Sequence, residues 1–196
     1  VPDTITEIHD FWFGELDDMG LCASDRNELW FGASDHTDST CRARFGTSLV
    51  KALRGELDHW AQTDRGLIAL IVLLDQFSRN IHRGTPQAFA GDPKAQALAQ
   101  VAIRGDRYQR LPPIHRVFLY LPLEHSENLA AQEQCVALFN EMAQLSGHPQ
   151  FDHFRRYAAA HRDVIAQFGR FPHRNAMLGR PSSQAELAYL AEHGGF

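Results

Sequence analysis

Lysine is almost missing from this chain. Of its 19 basic residues only Lys51 and Lys94 are lysine, an excess of arginine that follows genomic base composition as readily as chemistry. Cysteine is also scarce: Cys22, Cys41 and Cys135 are odd in number, widely spaced and without a Cys-x-x-Cys pair. That excludes a disulfide framework and a cysteine zinc site, and fits a reducing cytoplasm, the expected location. No run of about 18 apolar residues exists, and Gly66 to Leu74 is too short to cross a bilayer. It reads as a core helix. With neither a lipid anchor nor a basic amphipathic helix, no membrane partner is expected. The opening Val1-Pro-Asp-Thr-Ile-Thr-Glu7 has neither the basic start nor the apolar run of a signal peptide, so export is not expected.

Several reactive signatures are missing too. There is no His-Glu-x-x-His, no Gly-x-x-x-x-Gly-Lys, no Gly-x-Gly-x-x-Gly and no Gly-x-Ser-x-Gly, so no cofactor is implied. His82, His125, His161 and His173 with Asp75 or Glu124 leave metal binding geometrically open, but no ligand spacing is diagnostic and no metal is assigned. His9-Asp10 sits in an acidic segment without further ligands. A formal charge of −5 and the lack of an aromatic-plus-basic stripe argue against nucleic acid.

What is present is an ordinary globular composition, 44% hydrophobic and 22% charged over 196 residues, enough for one sizeable core. A single domain over 1–196 is expected. Apolar spacing is helical almost throughout, and nothing alternates with the two-residue period of a strand. An all-α fold follows, with antiparallel helix pairs in a bundle or an irregular stack. The spacing predicts a first helix through Trp12, a second around Trp30, one or two helices over 37–61, and a central helix from Arg65 to about Asn80 capped by Thr63 or Asp64. Asp92-Pro93 has the pattern of a cap followed by proline. Pro112-Pro113 opens a helix that Pro122 is expected to kink or stop. Helices over 126–145 and 151–168 follow, and Ser182 or Ser183 caps the last, with Glu186 placed for a capping box.

Charge is uneven along the chain. Residues 1–38 hold ten acidic residues against Arg26 alone, while residues 150–181 hold six arginines against Asp152 and Asp163. The C-terminal third can therefore attract an anion.

Three polar clusters stand out. The apolar central helix switches abruptly to Asp75-Gln76-Phe-Ser-Arg79-Asn80-Ile-His82-Arg83, with Asp75, Arg79, His82 and Arg83 on one helical face. These groups either bind a ligand or tie helices together, with Asp75 and Arg79 as a mutual ion pair. In the C-terminal third, His161 lies on the apolar side of its helix, ahead of Gly169-Arg170-Phe-Pro-His173-Arg174-Asn175 and Gly179-Arg180. That stretch has the donors of an anion-binding loop, although arginines there also serve to cap carbonyls. The third cluster is Glu124-His125-Ser126-Glu127: Glu124 and His125 have the chemistry of an acid/base pair, while Ser126 or the glutamates suit a helix start.

The motifs Asp10-Phe-Trp-Phe-Gly14, Leu29-Trp-Phe-Gly32, Leu73-Leu-Asp-Gln-Phe-Ser-Arg-Asn-Ile81 with Arg83-Gly-Thr85, Phe118-Leu-Tyr-Leu-Pro-Leu-Glu-His-Ser-Glu127, and Phe168-Gly-Arg-Phe-Pro-His-Arg-Asn175 occur in that order over nearly the whole chain. In these the sequence resembles the bacterial domain of unknown function 924 family. The resemblance implies an irregular tetratricopeptide-like stack of antiparallel helix pairs, although no 34-residue repeat is legible. Ser78 stands where the resemblance leads one to expect proline. The family brings no reaction with it, and fold alone does not assign one.

Three functions compete. The first is a binding module for an anionic small molecule or peptide carboxylate, using Asp75, Gln76, Arg79, Asn80, Arg83, Glu124, His125, His161, Arg170, His173, Arg174 and Asn175. The second is a hydrolase or lyase on an anionic substrate, with Asp75, Glu124 or His161 as acid/base. The third is a structural or self-assembling protein.

Overall fold

Side-chain caps open several of the helices, at Thr63 and Ser183 where the sequence marks them and at other positions elsewhere. In the computed structural model, which describes residues 3–196, Asp3 accepts the Thr6 N–H at 2.8 Å and starts α1 (Thr4–Trp12). Val1 and Pro2, the first residues of the stretch read above for a signal peptide, lie outside the described residues. Among the described residues there is no strand, only an isolated bridge between Leu16 and Cys22, and no helix is long and apolar enough to cross a membrane. The fold is all-α. The chain divides into two compact units, one of residues 1–83 with 87–122, the other of residues 84–86 with 123–196.

The first unit holds α1, α2 (Asn27–Phe31), α3 (Asp35–Leu53), α4 (Asp64–Ile71), α5 (Ser78–Ile81), α6 (Asp92–Arg104) and α7 (Pro113–Glu124) up to Pro122. Thr63 caps α4 by accepting the Gly66 N–H. Between α4 and α5 the chain runs on as a π-helical turn, Val72–Phe77, so the predicted central helix carries one wider turn at Asp75 and Gln76. Such turns recur at functional sites and shift the faces on either side. α3 and α6 both pack on this turn. Gly91 explains the close approach of α6: a Cβ there would stand 2.1 Å from the Leu74 carbonyl oxygen. Gly91 is also the residue that caps α6, while Asp92 lies inside the helix and turns its carboxylate elsewhere.

An aromatic core closes this unit. Trp12 meets Phe77 and Phe118 edge-on at 5.2 and 5.8 Å, Phe45 stacks on Phe77 at 4.7 Å, and Trp30 approaches Phe118 at 5.0 Å while donating its indole N–H to the Trp12 carbonyl. α7 does not stop at Pro122 but continues to Glu124. Proline in a helix costs about 3 kcal/mol. Burial of Phe118, Leu119, Leu121 and Leu123 offsets that, at roughly 1.5–3 kcal/mol for each side chain.

The second unit is built on α8 (Leu129–Ser146) and α9 (Pro149–Phe168), which pack on each other along their length across a short connection with Gly147 at φ +62°. α8 starts three residues later than the apolar spacing suggests, because Asn128 takes the cap: its side chain accepts the Ala131 N–H, and Ser126 Oγ accepts the Asn128 N–H. After α9 come a single 3-10 turn, Pro172–Arg174, and α10 (Gln184–His193). α10 opens with the full capping box of Ser183 and Glu186. Val164, Ile165 and Phe171 form a core against which Phe168 and Tyr189 pack.

Candidate functional site

Arg79 and Arg83 of the first unit are met by carboxylates of the same unit. Arg79 donates to both oxygens of Asp92 at 2.7 and 3.0 Å, to the Asp75 carbonyl at 2.7 Å, and stands 3.3 Å from the Asp75 carboxylate. Asp75 is fully buried and also accepts from Gln76 Nε2 at 2.5 Å. Burial disfavours the Arg79 cation, but Asp75 and Asp92 outweigh it and hold the guanidinium above its ordinary pKa. Next to this network, Asp38 of α3 accepts from Asn80 at 2.9 Å and from Arg83 at 2.5 and 2.8 Å. The Arg83 hydrogen bonds keep the Asp38 carboxyl below its usual range. Asp75, Gln76, Arg79, Asn80 and Arg83 thus form two adjoining ties through Asp92 and Asp38. Sequence reasoning omits both of these aspartates because each is remote in sequence from its arginine.

In the second unit, Arg170 grips Glu186 with two contacts of 2.6 and 2.9 Å, and Arg180 grips Glu127 at 2.7 and 2.8 Å. Asn175 donates to Ser182 Oγ and accepts from Arg180 Nε. Glu127 also accepts the Phe171 N–H at 2.8 Å. Burial opposes ionisation of Glu127, yet Arg180 and that N–H prevail and lower its pKa. Glu186 is held well below the carboxylate range, first by Arg170 and then by the Ser183 N–H. Arg170 and Asn175 are therefore engaged in fixing the loop between α9 and α10.

The other candidates gather on the fully buried Phe171 ring. The Arg174 guanidinium lies 4.4 Å from its centroid, and the imidazoles of His161 and His173 are each 5.6 Å away. Arg174 is buried and donates to the His125 carbonyl at 3.0 Å. The His125 ring stands 6.3 Å from that of His161, and Phe196 stacks on His161 with centroids 3.7 Å apart. Gly195 permits this cover, since a Cβ there would fall 2.7 Å from the His173 Cβ. Below the cluster Gln132 of α8, also fully buried, donates to the carbonyls of Glu124 and Ser126 and so fixes the end of α7. A polar residue on the apolar side of α8 is the sequence signal for Gln132. Nothing local marks Phe196.

The chemistry centres on His161. Its Nδ1 is 2.8 Å from the Tyr157 carbonyl and 3.4 Å from Glu124 Oε1. Both neighbours are acceptors, so Nδ1 carries the proton and the neutral ring leaves its lone pair on Nε2. Burial, reinforced by His125, Arg174 and His173, pushes the His161 pKa down to about 3. The imidazole is thus neutral near pH 7, in cationic surroundings, with a carboxylate behind it. A neutral imidazole so placed can accept a hydrogen bond at Nε2. Cys135 is an unreactive neighbour: burial, then the Glu124 charge, raises its thiol pKa well above the usual value. Among the described residues no group of three His, Cys, Asp or Glu side chains is arranged to hold a metal ion.

A family described as "Bacterial protein of unknown function (DUF924)" matches residues 8–194. The chain is also similar to a solved structure, that of the protein of unknown function ATU0120 from Agrobacterium tumefaciens. The two are 37% identical with a TM-score of 0.80, and the match covers 96% of this chain and 97% of that one. No curated protein matches.

Proposed function

The chain belongs to this DUF924 family, and we propose that it is a binding module whose second unit holds an anionic small molecule or peptide carboxylate at Arg174, His125, His161 and His173. The observation that carries this reading is the convergence of the buried Arg174 guanidinium and the imidazoles of His161 and His173 on the Phe171 ring, with the His125 ring next to that of His161. Arginine offers a planar pair of donors to a carboxylate or phosphate, and a neutral His161 adds an acceptor for a hydroxyl or protonated group beside it.

The test is thermal unfolding of the purified chain against acetate, pyruvate, citrate, inorganic phosphate and short peptides. A ligand at a hundredfold excess over its Kd raises stability by about 2.7 kcal/mol. The expected shift disappears in His173→Ala, a half-buried position, with circular dichroism checking that the variant is folded. A panel with no shift, or a shift that survives both His173→Ala and Arg174→Gln, would sink the reading.

A second reading has its own support in the 3.4 Å contact between His161 and Glu124. There the same site is an acid/base centre of a hydrolase or lyase, with the Glu124–His161 pair handling the proton and Arg174 holding the substrate anion. His161→Gln would then retain binding and lose turnover.

A further inference from the structure

The first unit carries a groove of about 630 Å³ that none of these networks uses. Asp10 and Phe11 of α1, Asp25 and Arg26 of the following loop, Leu29 of α2 and Arg44 of α3 line it. Its arginines differ from Arg79 and Arg83. Neither Arg26 nor Arg44 forms an ion pair among the described residues. Arg44 sits with its guanidinium 5.0 Å from both the Phe11 and Phe45 rings. Arg26 donates to the Phe11 carbonyl at 3.3 Å, and its Nε is buried without a hydrogen-bond partner. The Arg26 side chain is also fixed sterically. Gly14, at φ +64°, leaves the space it fills, for a Cβ there would meet Nη2 at 2.1 Å. Two cations thus line the groove without a direct ion pair to either of its aspartates, one of them against aromatic faces.

The other lining groups define what fits. Asp10 is exposed, and Asp25 spends one oxygen on the Asn27 N–H. A simple anion such as phosphate would meet repulsion from these carboxylates as well as attraction from the arginines. A molecule carrying both charges can set its anionic end by the arginines and its cationic end by the aspartates. Phe11 and Leu29, both half-buried, offer apolar surface beside the polar groups.

We propose that this groove binds a free α-amino acid with an apolar side chain, its carboxylate on Arg26 and Arg44, its ammonium at Asp10 and Asp25, and its side chain against Phe11 and Leu29. The site is independent of the one around Arg174, and either stands if the other fails. An open groove of this kind gives weak affinity, with a Kd on the order of 1 mM.

Titration of the whole chain with L-phenylalanine, followed by two-dimensional amide NMR, tests this directly. Saturable shifts are expected at residues 10–11, 24–29 and 44. N-acetyl-L-phenylalanine lacks the ammonium and L-phenylalaninamide lacks the carboxylate, and each should bind about tenfold more weakly or worse. Arg44→Gln, at an exposed position, should weaken phenylalanine by a similar factor, whereas His173→Ala should not. Asp10→Asn should narrow the gap between phenylalanine and its N-acetyl form. Equal binding of the blocked analogues, unchanged affinity in Arg44→Gln, or no saturable shift up to the solubility of phenylalanine would each overturn the proposal.

Discussion

His161 Nδ1 stands 2.8 Å from the Tyr157 carbonyl and 3.4 Å from the Glu124 carboxylate, so one buried N–H faces two acceptors. Glu124→Gln keeps an acceptor there and should preserve the tautomer at little cost in stability. Glu124→Ala removes the acceptor, opens space beside a buried ring and should destabilise the chain by about 1–3 kcal/mol. Urea unfolding of the two variants checks the difference, and equal losses would mean that hydrogen bonding at this carboxylate is immaterial.

Acid should weaken the fold before its carboxylates titrate. Burial pushes His115 and His161 down to about 3, with His9 lowered as well, whereas an unfolded histidine takes its proton near pH 6.5. Between those values the unfolded chain binds more protons, so stability rises with pH across that window. Going from pH 7 to 5 costs up to roughly 2 kcal/mol for each of His115 and His161. The ion-paired carboxylates Asp38 and Glu127, whose folded pKa values are lowered, add their own loss only below about pH 4.5, where the unfolded chain begins to protonate them. His161→Gln should flatten the pH 7 to 5 dependence by about 2 kcal/mol, and an unchanged slope would show that His161 titrates normally when folded.

Phe196 covers one face of that imidazole. It stacks on His161 at 3.7 Å yet is itself about half exposed. Phe196→Ala should admit water and raise the His161 pKa from about 3 toward the ordinary histidine value, without unfolding the core. An NMR pH titration of the His161 ring protons reads this directly. A value that stays near 3 would place the burial in Phe171 and α9 alone.

Gly91 and the π-helical turn make a purely steric prediction. With 2.1 Å between an added methyl carbon and the Leu74 oxygen, Gly91→Ala must push α6 away from the turn and should cost about 1–3 kcal/mol or more. Gly84→Ala is the control for simple glycine loss, because its positive φ brings backbone strain but no atom lies within 4 Å of the new carbon. Thermal unfolding of the pair separates collision from strain.

Local chemistry made much of the helical plan legible. Thr63 and Ser183 act as caps because a short side chain can reach an N–H three residues ahead whatever surrounds it, and Glu186 reaches back to the Ser183 N–H in the same local way. Leucine, isoleucine and phenylalanine at helical spacing marked the buried faces. Asn128 displaced Ser126 as the cap of α8 because both are competent and only packing chooses between them. Pro122 stayed inside α7 because burial outweighs a local penalty.

The sequence by itself determined an all-α chain, the order of its helices and the residue types at its polar clusters, because propensity, capping and periodicity act within a few residues. Tertiary structure decided which carboxylate each arginine takes. Arg79 goes to Asp92, Arg83 to Asp38 at a separation of 45 residues, and Arg180 to Glu127 at 53. It also left Arg26 and Arg44 without such partners and set Phe196 on His161. A guanidinium pairs with any carboxylate that packing brings within about 3 Å, and that distance is fixed by how helices fit together.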